Sequence, residues 1–280
     1  MKIELRGRDV IAARLPALVE RARLLTEAGR RPTLALVRLG ERPDDLAYER
    51  QILRRAEAVG IQVRAYVLPE DAPAGLLTET ARQISDDPTI HGCLLFRPLG
   101  DPVAEAAFAE NLSPKKDVDG MTRGSLARIY AGSGTGYAPC TAEAVFELLD
   151  HYEIPLEGAN VTLVGRSLVI GRPAALLAMH RNATVTVCHS RSRDLAAACR
   201  RADILIVAAG RRGLIQADCL QDGQVIIDVG IHVLEDGSIT GDVDPAVLPD
   251  DCRVTPVPGG LGPVTTLSLA RHVIEAAENS

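Results

Sequence analysis

A glycine-containing stretch at residues 161–173, VTLVGRSLVIGRP, constrains the fold of this chain more than any other. Its first four residues are apolar or β-branched and predict a buried strand that ends at Gly165. Gly171 is followed by Arg172 and Pro173, and proline suits the first turn of a helix because its fixed φ is already helical. Strand, glycine turn and helix form the first unit of a dinucleotide-binding fold, in which helix N-terminal amides hold phosphate. The spacing differs from G-x-G-x-x-G, however, and such a turn also occurs as a packing device alone.

Strand-like and helix-like segments alternate along the rest of the chain. Short apolar runs predict strands at residues 33–39, 63–68, 90–96, 184–187, 204–208 and 225–229. Apolar residues at helical spacing predict helices at residues 9–29, 46–59, 76–85, 102–111, 142–151, 194–201 and 264–278. This alternation predicts an α/β protein with parallel strands and helices on the faces of the sheet. A glycine-rich run at residues 131–136 predicts a border between two domains.

Composition and charge exclude several classes of protein. The formal net charge is −6 at pH 7 and the basic residues are dispersed, which argues against nucleic acid as a partner. No apolar run approaches the roughly 18 residues of a membrane span. Residues 1–15 alternate charged and apolar side chains, so we expect no secretory signal and a cytoplasmic protein.

The cysteines predict neither disulfides nor a metal site. They are widely spaced, contain no C-x-x-C pair and have mostly apolar neighbours, which is typical of reduced core residues. Cys140 is interpreted as a packing residue at the domain junction, since no histidine lies near it in the sequence. The six cysteines are Cys93, Cys140, Cys188, Cys199, Cys219 and Cys252.

The residues after the second strand of the nucleotide-binding half indicate which dinucleotide is bound. An acidic residue there accepts a hydrogen bond from the ribose of NAD, whereas arginine accommodates the 2′-phosphate of NADP. This chain has His189, Ser190 and Arg191 at that place and no carboxylate before Asp194, and Arg166 in the glycine turn adds a second cation. The pattern favours NADP over the alternative that these arginines are only solvated loop charges.

Five segments together resemble the bifunctional methylenetetrahydrofolate dehydrogenase/cyclohydrolase family. The glycine turn has the family form G-R-S-x-x-x-G-x-P, in which Gly165, Arg166 and Ser167 are followed by Gly171, Arg172 and Pro173. The others, in the family's order, are residues 116–120 (KDVDG), 139–141 (PCT), 227–230 (IDVG) and 255–265 (TPVPGGLGPVT). The resemblance runs from about residue 33 to the last helix.

This resemblance implies an architecture and an activity. An N-terminal α/β substrate domain of residues 1–137 would be completed by a C-terminal helix at residues 264–280, with a Rossmann-type NADP-binding domain at residues 138–263 between them. A cleft between the domains would hold a tetrahydrofolate derivative beside NADP. The implied activities are NADP-dependent methylenetetrahydrofolate dehydrogenase and methenyltetrahydrofolate cyclohydrolase, both of one-carbon metabolism. Family members are usually homodimers through the Rossmann domain.

The resemblance also implies the site residues. Tyr48 and Asp119 would be catalytic, with Asp119 on the pterin-bearing half of the folate. The substrate would contact Tyr48, Ile52, Phe96, Arg97, Asp119, Pro258, Gly259 and Gly260. The cofactor would contact Gly165, Arg166, Ser167, Gly171, Arg172, Pro173, His189, Ser190, Arg191, Ala209, Gly210, Gly230 and Ile231.

Three positions depart from the family pattern. The family carries a Tyr-x-x-x-Lys pair on one helical face, and its lysine is credited with the proton chemistry of the cyclohydrolase. Here Tyr48 is retained, but the lysine position is Ile52. The glutamine that orients that lysine is replaced by Phe96, and a serine three residues before the tyrosine is replaced by Asp45.

Three interpretations of these departures remain open. In the first, the dehydrogenase persists and the cyclohydrolase is lost or weakened. In the second, Arg97 or Arg55 supplies the missing cation, although arginine stays protonated and is a poor proton shuttle. In the third, the cleft is rebuilt for another substrate, or the protein binds without catalysing. Ile52 and Phe96 would make the pocket drier, and Asp45 and Arg97 would add a charge pair. Ile52 also fits a plain core residue of its helix.

Overall fold

A computed structural model describes residues 1–280. Its strands are β1 (Ile3–Glu4), β2 (Thr33–Leu39), β3 (Gln62–Leu68), β4 (Gly92–Leu95), β5 (Asn160–Val164), β6 (Thr184–Cys188), β7 (Ile204–Val207), β8 (Val225–Asp228), β9 (His232–Val233), β10 (Ile239–Thr240) and β11 (Arg253–Val254). Its helices are α1 (Gly7–Glu27), α2 (Pro43–Val59), α3 (Ala74–Asp86), α4 (Pro102–Asn111), α5 (Arg123–Ala131), α6 (Cys140–His151), α7 (Gly171–His180), α8 (Leu195–Arg200) and α9 (Leu261–Glu278). None of these helices has the length and apolar character that crossing a membrane requires.

The chain forms two compact units. Residues Met1–Ala13 group with Thr141–Thr265, and residues Arg14–Cys140 group with Thr266–Ser280. Most of the C-terminal helix therefore groups with residues 14–140. Residues 1–13 belong to the other unit because β1 pairs with β11, a contact that no local pattern signals.

The unit of residues 14–140 is built on a three-stranded parallel sheet in the order β3-β2-β4. All seven residues of the central strand β2 are buried, as expected for a parallel strand that is covered on both faces. On one face the core includes apolar side chains of α3 and α4, among them Leu77, Ile84 and Phe108.

The unit of residues 141–265 contains a six-stranded sheet in the order β1-β11-β8-β7-β5-β6, and every neighbouring pair is parallel. Strand β5 has β6 on one side and β7 on the other, so the strand order reverses there. In open α/β sheets, ligands bind at the carboxyl ends of the strands beside such a reversal. The predicted α/β class with a Rossmann-type domain is confirmed.

Several elements differ from the sequence prediction. Helix α5 is absent from the prediction, and Thr122 starts it by accepting a hydrogen bond from the Ser125 amide at 3.2 Å. Helix α2 begins at Pro43, earlier than predicted, because proline fits the first helical turn. The two-residue strands β1 and β11 are too short to produce an alternating pattern.

Candidate active site

The glycine turn after β5 owes its spacing to close backbone packing. Gly165 has φ +130°, and a Cβ there would overlap the carbonyl oxygen of Ala208. A Cβ on Gly171 would overlap the carbonyl oxygen of Gly165. The two glycines therefore touch across the turn, which explains why they lie six positions apart. Ser167 closes the turn, since its Oγ accepts a hydrogen bond from the Ile170 amide at 3.2 Å.

In the loop after β6, the first carboxylate, Asp194, forms a hydrogen bond within the same segment. Asp194 caps α8 by accepting a hydrogen bond from the Ala197 amide at 2.9 Å. The His189 ring also faces its own loop, because its Nδ1 accepts from the Arg191 amide at 3.1 Å. No acidic side chain of this loop is therefore free to accept a hydrogen bond from a ribose hydroxyl.

Two exposed arginines remain available on the same region. Arg166 in the glycine turn and Arg191 after β6 are both exposed, and neither guanidinium has an ion-pair partner. Ser190 beside Arg191 is exposed as well. Cations and a hydroxyl at the end of the second strand fit the 2′-phosphate of NADP better than the free ribose of NAD.

The loop after β7 is held by a carboxylate that the sequence does not predict as part of the site. The Ala209 and Gly210 amides donate to Asp242 Oδ2 at 2.7 and 3.0 Å. Both donors are exposed, whereas Asp242 is fully buried. The two amides are already committed, so contact of these predicted residues with a cofactor would use their other atoms. The one available signal is the acidic G-D-V-D run at residues 241–244.

The loop after β8 rests on a second buried carboxylate. The Gly230 amide donates to Asp228 Oδ1 at 2.9 Å, and a Cβ on Gly230 would overlap the Asp242 side chain. Three backbone amides bond Asp228, but burial dominates and raises the pKa of its carboxyl. Ile231, the next predicted cofactor residue, is 64% exposed.

The residues Pro258, Gly259 and Gly260 lie in the same unit as the six-stranded sheet. Gly259 has φ +103°, and its carbonyl oxygen accepts a hydrogen bond from the Gly7 amide at 3.0 Å. A Cβ on Gly7 would overlap the Gly260 carbonyl oxygen. The Pro-Gly-Gly loop is therefore packed tightly on the first residue of α1.

The other predicted substrate residues lie in the unit of residues 14–140, and Tyr48 is central among them. The Tyr48 ring, on α2, packs edge-on against Phe96 with ring centroids 5.9 Å apart and an interplanar angle of 80°. Ile52, one turn along α2, is only 2% exposed. Burial strongly raises the pKa of Tyr48, so its hydroxyl stays protonated and can donate a hydrogen bond.

Asp119 is held between a cation and a backbone amide. Its Oδ2 lies 3.4 Å from Arg97 Nη2, and its Oδ1 accepts from the Cys140 amide at 3.3 Å. Burial raises the pKa of Asp119, and Arg97 and the Cys140 hydrogen bonds only partly oppose that shift. The structure thus places Arg97 and Asp119 together as an ion pair whose two side chains are each 21% exposed.

Lys116, three residues before Asp119, does not replace the missing family lysine. Lys116 Nζ donates to the carbonyl oxygens of Ile84 and Asp87 at 2.8 and 2.6 Å, which ties its loop to the end of α3. Asp117 fixes the other side of the loop by accepting from the amides of Met121 and Thr122 at 3.0 and 2.7 Å. Both residues hold the loop that carries Asp119.

The predicted Asp45–Arg97 charge pair is wrong. Asp45 is buried and accepts two hydrogen bonds from Arg42, at 2.8 Å from Nε and 3.0 Å from Nη2. Arg42 lies three residues earlier in the chain, so its planar guanidinium reaches the carboxylate in bidentate fashion. It also donates to the Pro98 carbonyl oxygen at 2.7 Å, which ties the start of α2 to the segment after β4.

The remaining candidate cation, Arg55, is half-buried on α2. Its Nε lies 3.4 Å from Thr266 Oγ1, and burial lowers its pKa. A guanidinium remains charged even so, because arginine is not deprotonated in proteins. Arg55 can therefore supply charge but not a transferable proton.

Cys140 has a partner that the sequence does not reveal. It is 1% exposed, and its Sγ lies 3.1 Å from the Val118 carbonyl oxygen and 3.6 Å from His272 Nδ1. His272 is on α9, 132 residues away in sequence, so only the fold brings it close. All six cysteines are free thiols and buried. No group of three or more His, Cys, Asp or Glu side chains is arranged to hold a metal ion.

Comparison with known proteins identifies the family. The tetrahydrofolate dehydrogenase/cyclohydrolase catalytic domain matches residues 5–119, and the NAD(P)-binding domain of the same family matches residues 139–280. The chain belongs to the tetrahydrofolate dehydrogenase/cyclohydrolase family. The resemblance read from five sequence segments is therefore confirmed.

Family relatives match over nearly the whole chain. A bifunctional protein FolD from Alkaliphilus oremlandii (strain OhILAs) is 41% identical over 277 residues, covering 97% of this chain and 96% of the relative. The crystal structure of the FolD methylenetetrahydrofolate dehydrogenase/cyclohydrolase from Campylobacter jejuni superposes with a TM-score of 0.96 at 34% identity, covering 100% and 99% of the two chains. FolD from Trypanosoma brucei, complexed with NADP cofactor and inhibitor, has a TM-score of 0.93 at 30% identity, covering 99% and 98%.

Proposed function

We propose that this protein is an NADP-dependent methylenetetrahydrofolate dehydrogenase with a lost or strongly weakened cyclohydrolase step. Membership of the tetrahydrofolate dehydrogenase/cyclohydrolase family supports the substrate class. The unpaired Arg166 and Arg191, the internal use of Asp194 and the NADP complex of the Trypanosoma brucei relative support NADP. We assign the cofactor to the unit of residues 141–265 and a folate-binding role to the unit of residues 14–140.

In the dehydrogenase reaction, the residues around Tyr48 bind the folate and orient it. NADP, when bound, accepts the hydride, and the protein's task is to orient the folate carbon towards it. Tyr48 stays protonated and donates a hydrogen bond, while Asp119 accepts one from the pterin half. Buried Ile52 and Phe96 make the surroundings of Tyr48 apolar and exclude water. None of these roles requires a group that exchanges protons near neutral pH.

The cyclohydrolase step does require such a group, and the lysine that supplies it in the family pattern is missing beside Tyr48. One observation carries this part of the proposal: the lysine position is Ile52, which is 2% exposed and lies one helical turn from Tyr48. Tyr48 stays protonated, Arg97 is paired with Asp119, and Lys116 is bonded to two carbonyl oxygens of its own unit. General acid–base catalysis contributes about 100- to 10,000-fold to a rate, so its loss should lower the rate of methenyltetrahydrofolate hydrolysis by a measurable factor.

A spectrophotometric assay with both nucleotides tests the dehydrogenase. With methylenetetrahydrofolate as substrate, we expect NADP to be reduced with a kcat/KM at least about tenfold above that for NAD, because Arg166 and Arg191 favour the 2′-phosphate. An Arg191→Ala variant should lower the ratio of kcat/KM for NADP to kcat/KM for NAD, without changing the folate KM. Absence of NADPH formation at every folate concentration would overturn the proposal.

A separate hydrolysis assay tests the loss of the cyclohydrolase. We expect methenyltetrahydrofolate to hydrolyse no faster with the protein than in buffer. The double variant Ile52→Lys with Phe96→Gln restores the family pair and should accelerate hydrolysis. Leu53→Lys is the matched control, since it adds the same charge on the next residue of α2, which is 41% exposed. Rapid hydrolysis by the unmodified protein would refute the loss.

A changed ligand is the second candidate, and the Arg97–Asp119 ion pair favours it. A folate that bonds Asp119 must compete with a guanidinium 3.4 Å away. Thermal-shift measurements with methylenetetrahydrofolate and with folate-free one-carbon donors separate the two candidates. Stabilisation by the folate supports the dehydrogenase, whereas stabilisation only by another ligand supports the rebuilt site.

We also propose a homodimer through the Rossmann domain, in the cytoplasm. Strand β6 is at one edge of the six-stranded sheet, and its Thr184, Thr186 and Val187 side chains are exposed. An open parallel edge of this kind is usually paired or covered. Light scattering on purified protein should give twice the 29.8 kDa mass of the chain. A monomer at all concentrations would contradict the dimer.

A further inference from the structure

Both carboxylate oxygens of Asp242 make hydrogen bonds. Asp242 is not among the cofactor residues that the family pattern implies. Its Oδ2 accepts from the amides of Ala209 and Gly210 at 2.7 and 3.0 Å, and its Oδ1 lies 2.7 Å from His232 Nε2. Its own amide donates to Asp228 Oδ1 at 3.1 Å. The side chain is fully buried. One carboxylate thus joins segments that follow two different strands.

Both segments lie at the edge of the sheet where a dinucleotide binds. Strands β5, β7 and β8 are parallel neighbours, so the loops after them emerge at the same edge. The loop after β7 also touches the glycine turn directly, since the Ala208 carbonyl oxygen occupies the space where Gly165 has no Cβ. A shift of residues 208–210 would therefore be transmitted to the glycine turn.

The two backbone amides that Asp242 contacts explain why an acidic residue occupies this position. Two successive backbone N–H groups around a left-handed glycine (Gly210, φ +63°) form a concave anion-binding site. Here the anion is internal, because Asp242 fills the site. The amides of Ala209 and Gly210 are therefore not available to a phosphate group of the cofactor.

We propose that Asp242 is a positioning residue of the cofactor site, which fixes the loops after β7 and β8 in the geometry that NADP binding requires. This inference rests on the proposed NADP-dependent function. Asp242 does not touch the cofactor; it acts through the backbone of Ala209 and Gly210, and through His232 beside Ile231.

Three variants test this role by direct titration of NADP binding and by steady-state kinetics. Asp242→Ala removes the acceptors and should raise the NADP Kd about tenfold or more, because hydrogen bonds to a charged group are lost. Asp242→Asn keeps one carbonyl oxygen for both amides, so it should raise the Kd by less than about threefold. Asp244→Ala is the matched control in the same G-D-V-D run, since the Asp244 side chain accepts one local hydrogen bond, from the Ala246 amide at 3.0 Å. The folate KM should change by less than about twofold in all three.

The pattern of effects distinguishes positioning from general destabilisation. A merely structural role would lower the folded fraction and kcat without raising the NADP Kd of the protein that remains folded. Unchanged NADP Kd values in folded Asp242→Ala and Asp242→Asn would overturn the inference, as would an equal rise in the KM of both substrates. If the unmodified protein binds no NADP, the proposed function fails instead.

Amide hydrogen exchange keeps the inference testable if Asp242→Ala does not fold. In the unmodified protein, the amides of Ala209 and Gly210 should be protected without NADP, although both residues are exposed. In Asp242→Asn this protection should weaken while the strands of the sheet stay protected. Free exchange of the two amides in the unmodified protein would contradict the proposed contact.

Discussion

The glycine turn in one unit and the helix carrying Tyr48 in the other have kept the family pattern to different degrees. The turn retains all its family residues, and its glycines are required by backbone contacts that no side chain could replace. Helix α2 retains Tyr48, but Ile52 stands at the position of the lysine that the family pattern credits with proton chemistry. Phe96, after β4, stands at the position of the glutamine that orients this lysine. Recognition built from the backbone depends on the fold itself, whereas proton transfer depends on a single side chain. One substitution can therefore remove the second and leave the first intact.

The largest expected effect comes from filling the contact in the glycine turn. In Gly165→Ala, the new methyl group would overlap the Ala208 carbonyl oxygen, and φ +130° is unfavourable for any residue with a Cβ. We expect a loss of at least about 4 kcal/mol in the free energy of unfolding and no measurable NADP binding. Thermal denaturation and cofactor titration check both outcomes.

Gly158→Ala is the control for this prediction. Gly158 lies in the same unit, also has positive φ (+73°), but has nothing within 4 Å of an added Cβ. Its cost should be the strain of the left-handed conformation alone, about 1 kcal/mol. Equal losses in the two variants would show that the contact with Ala208 is unimportant.

The converse substitution tests the other region. In Ile52→Lys, a cation enters a position that is 2% exposed while Phe96 offers no hydrogen-bond acceptor. We expect a loss of about 3 kcal/mol in the free energy of unfolding, with the NADP Kd unchanged. Chemical denaturation measures the loss. Leu53→Lys, at the neighbouring exposed position, should lower the free energy of unfolding by less than about 0.5 kcal/mol. Similar losses in Ile52→Lys and Leu53→Lys would mean that burial of residue 52 does not matter for stability.

The sequence predicts the parts of this molecule that depend on local pattern. The alternation of strands and helices and the glycine turn are all encoded within short windows, because apolar spacing, glycine and proline act on their own neighbours. The departure at Ile52 is also visible in sequence, since a four-residue spacing on a helix fixes its position relative to Tyr48.

The contacts that complete the site are not visible in the same way. Asp242 meets Ala209 more than 30 residues away, and His272 meets Cys140 across 132 residues. The wrong pairing of Asp45 with Arg97 has another cause, because the actual partner Arg42 lies only three residues away. Arg42 and Arg97 are both candidate cations until the fold places them. Long-range pairing is decided by packing of whole elements, which no local window contains.

A smaller effect, with opposite signs for stability and activity, is expected at Asp119. The pKa of Asp119 is raised in the folded protein, so folding favours the protonated carboxyl. The contribution of this group to the free energy of unfolding is present below the ordinary pKa of about 3.9. It is lost as pH rises through the pKa of the folded state. Asp119→Asn should therefore raise Tm near neutral pH, and the gain should vanish in acid. The dehydrogenase kcat/KM should fall at least about tenfold, because the amide accepts hydrogen bonds less strongly than the carboxylate.

Asp117→Asn gives the opposite sign and serves as its control. Both oxygens of Asp117 accept backbone amides, from Met121 and Thr122, so an asparagine NH2 would face one of these donors. We expect a lower Tm near neutral pH. A lower Tm for Asp119→Asn as well would contradict the assignment of burial as the dominant influence on Asp119.

The smallest expected effect is at Arg42, and it separates ion pairing from substrate binding on α2. Arg42→Gln leaves Asp45 without its bidentate partner, but Arg42 is 39% exposed, so solvent screening should limit the cost to about 1 kcal/mol. Because Arg42 also bonds the Pro98 carbonyl oxygen beside Arg97, the folate KM should rise about two- to threefold, with no change in the NADP Kd. Adding Asp45→Ser, the residue of the family pattern, should recover the stability but not the KM. Recovery of both would mean that Arg42 serves only to neutralise Asp45, and a raised NADP Kd would show that the two regions do not vary independently.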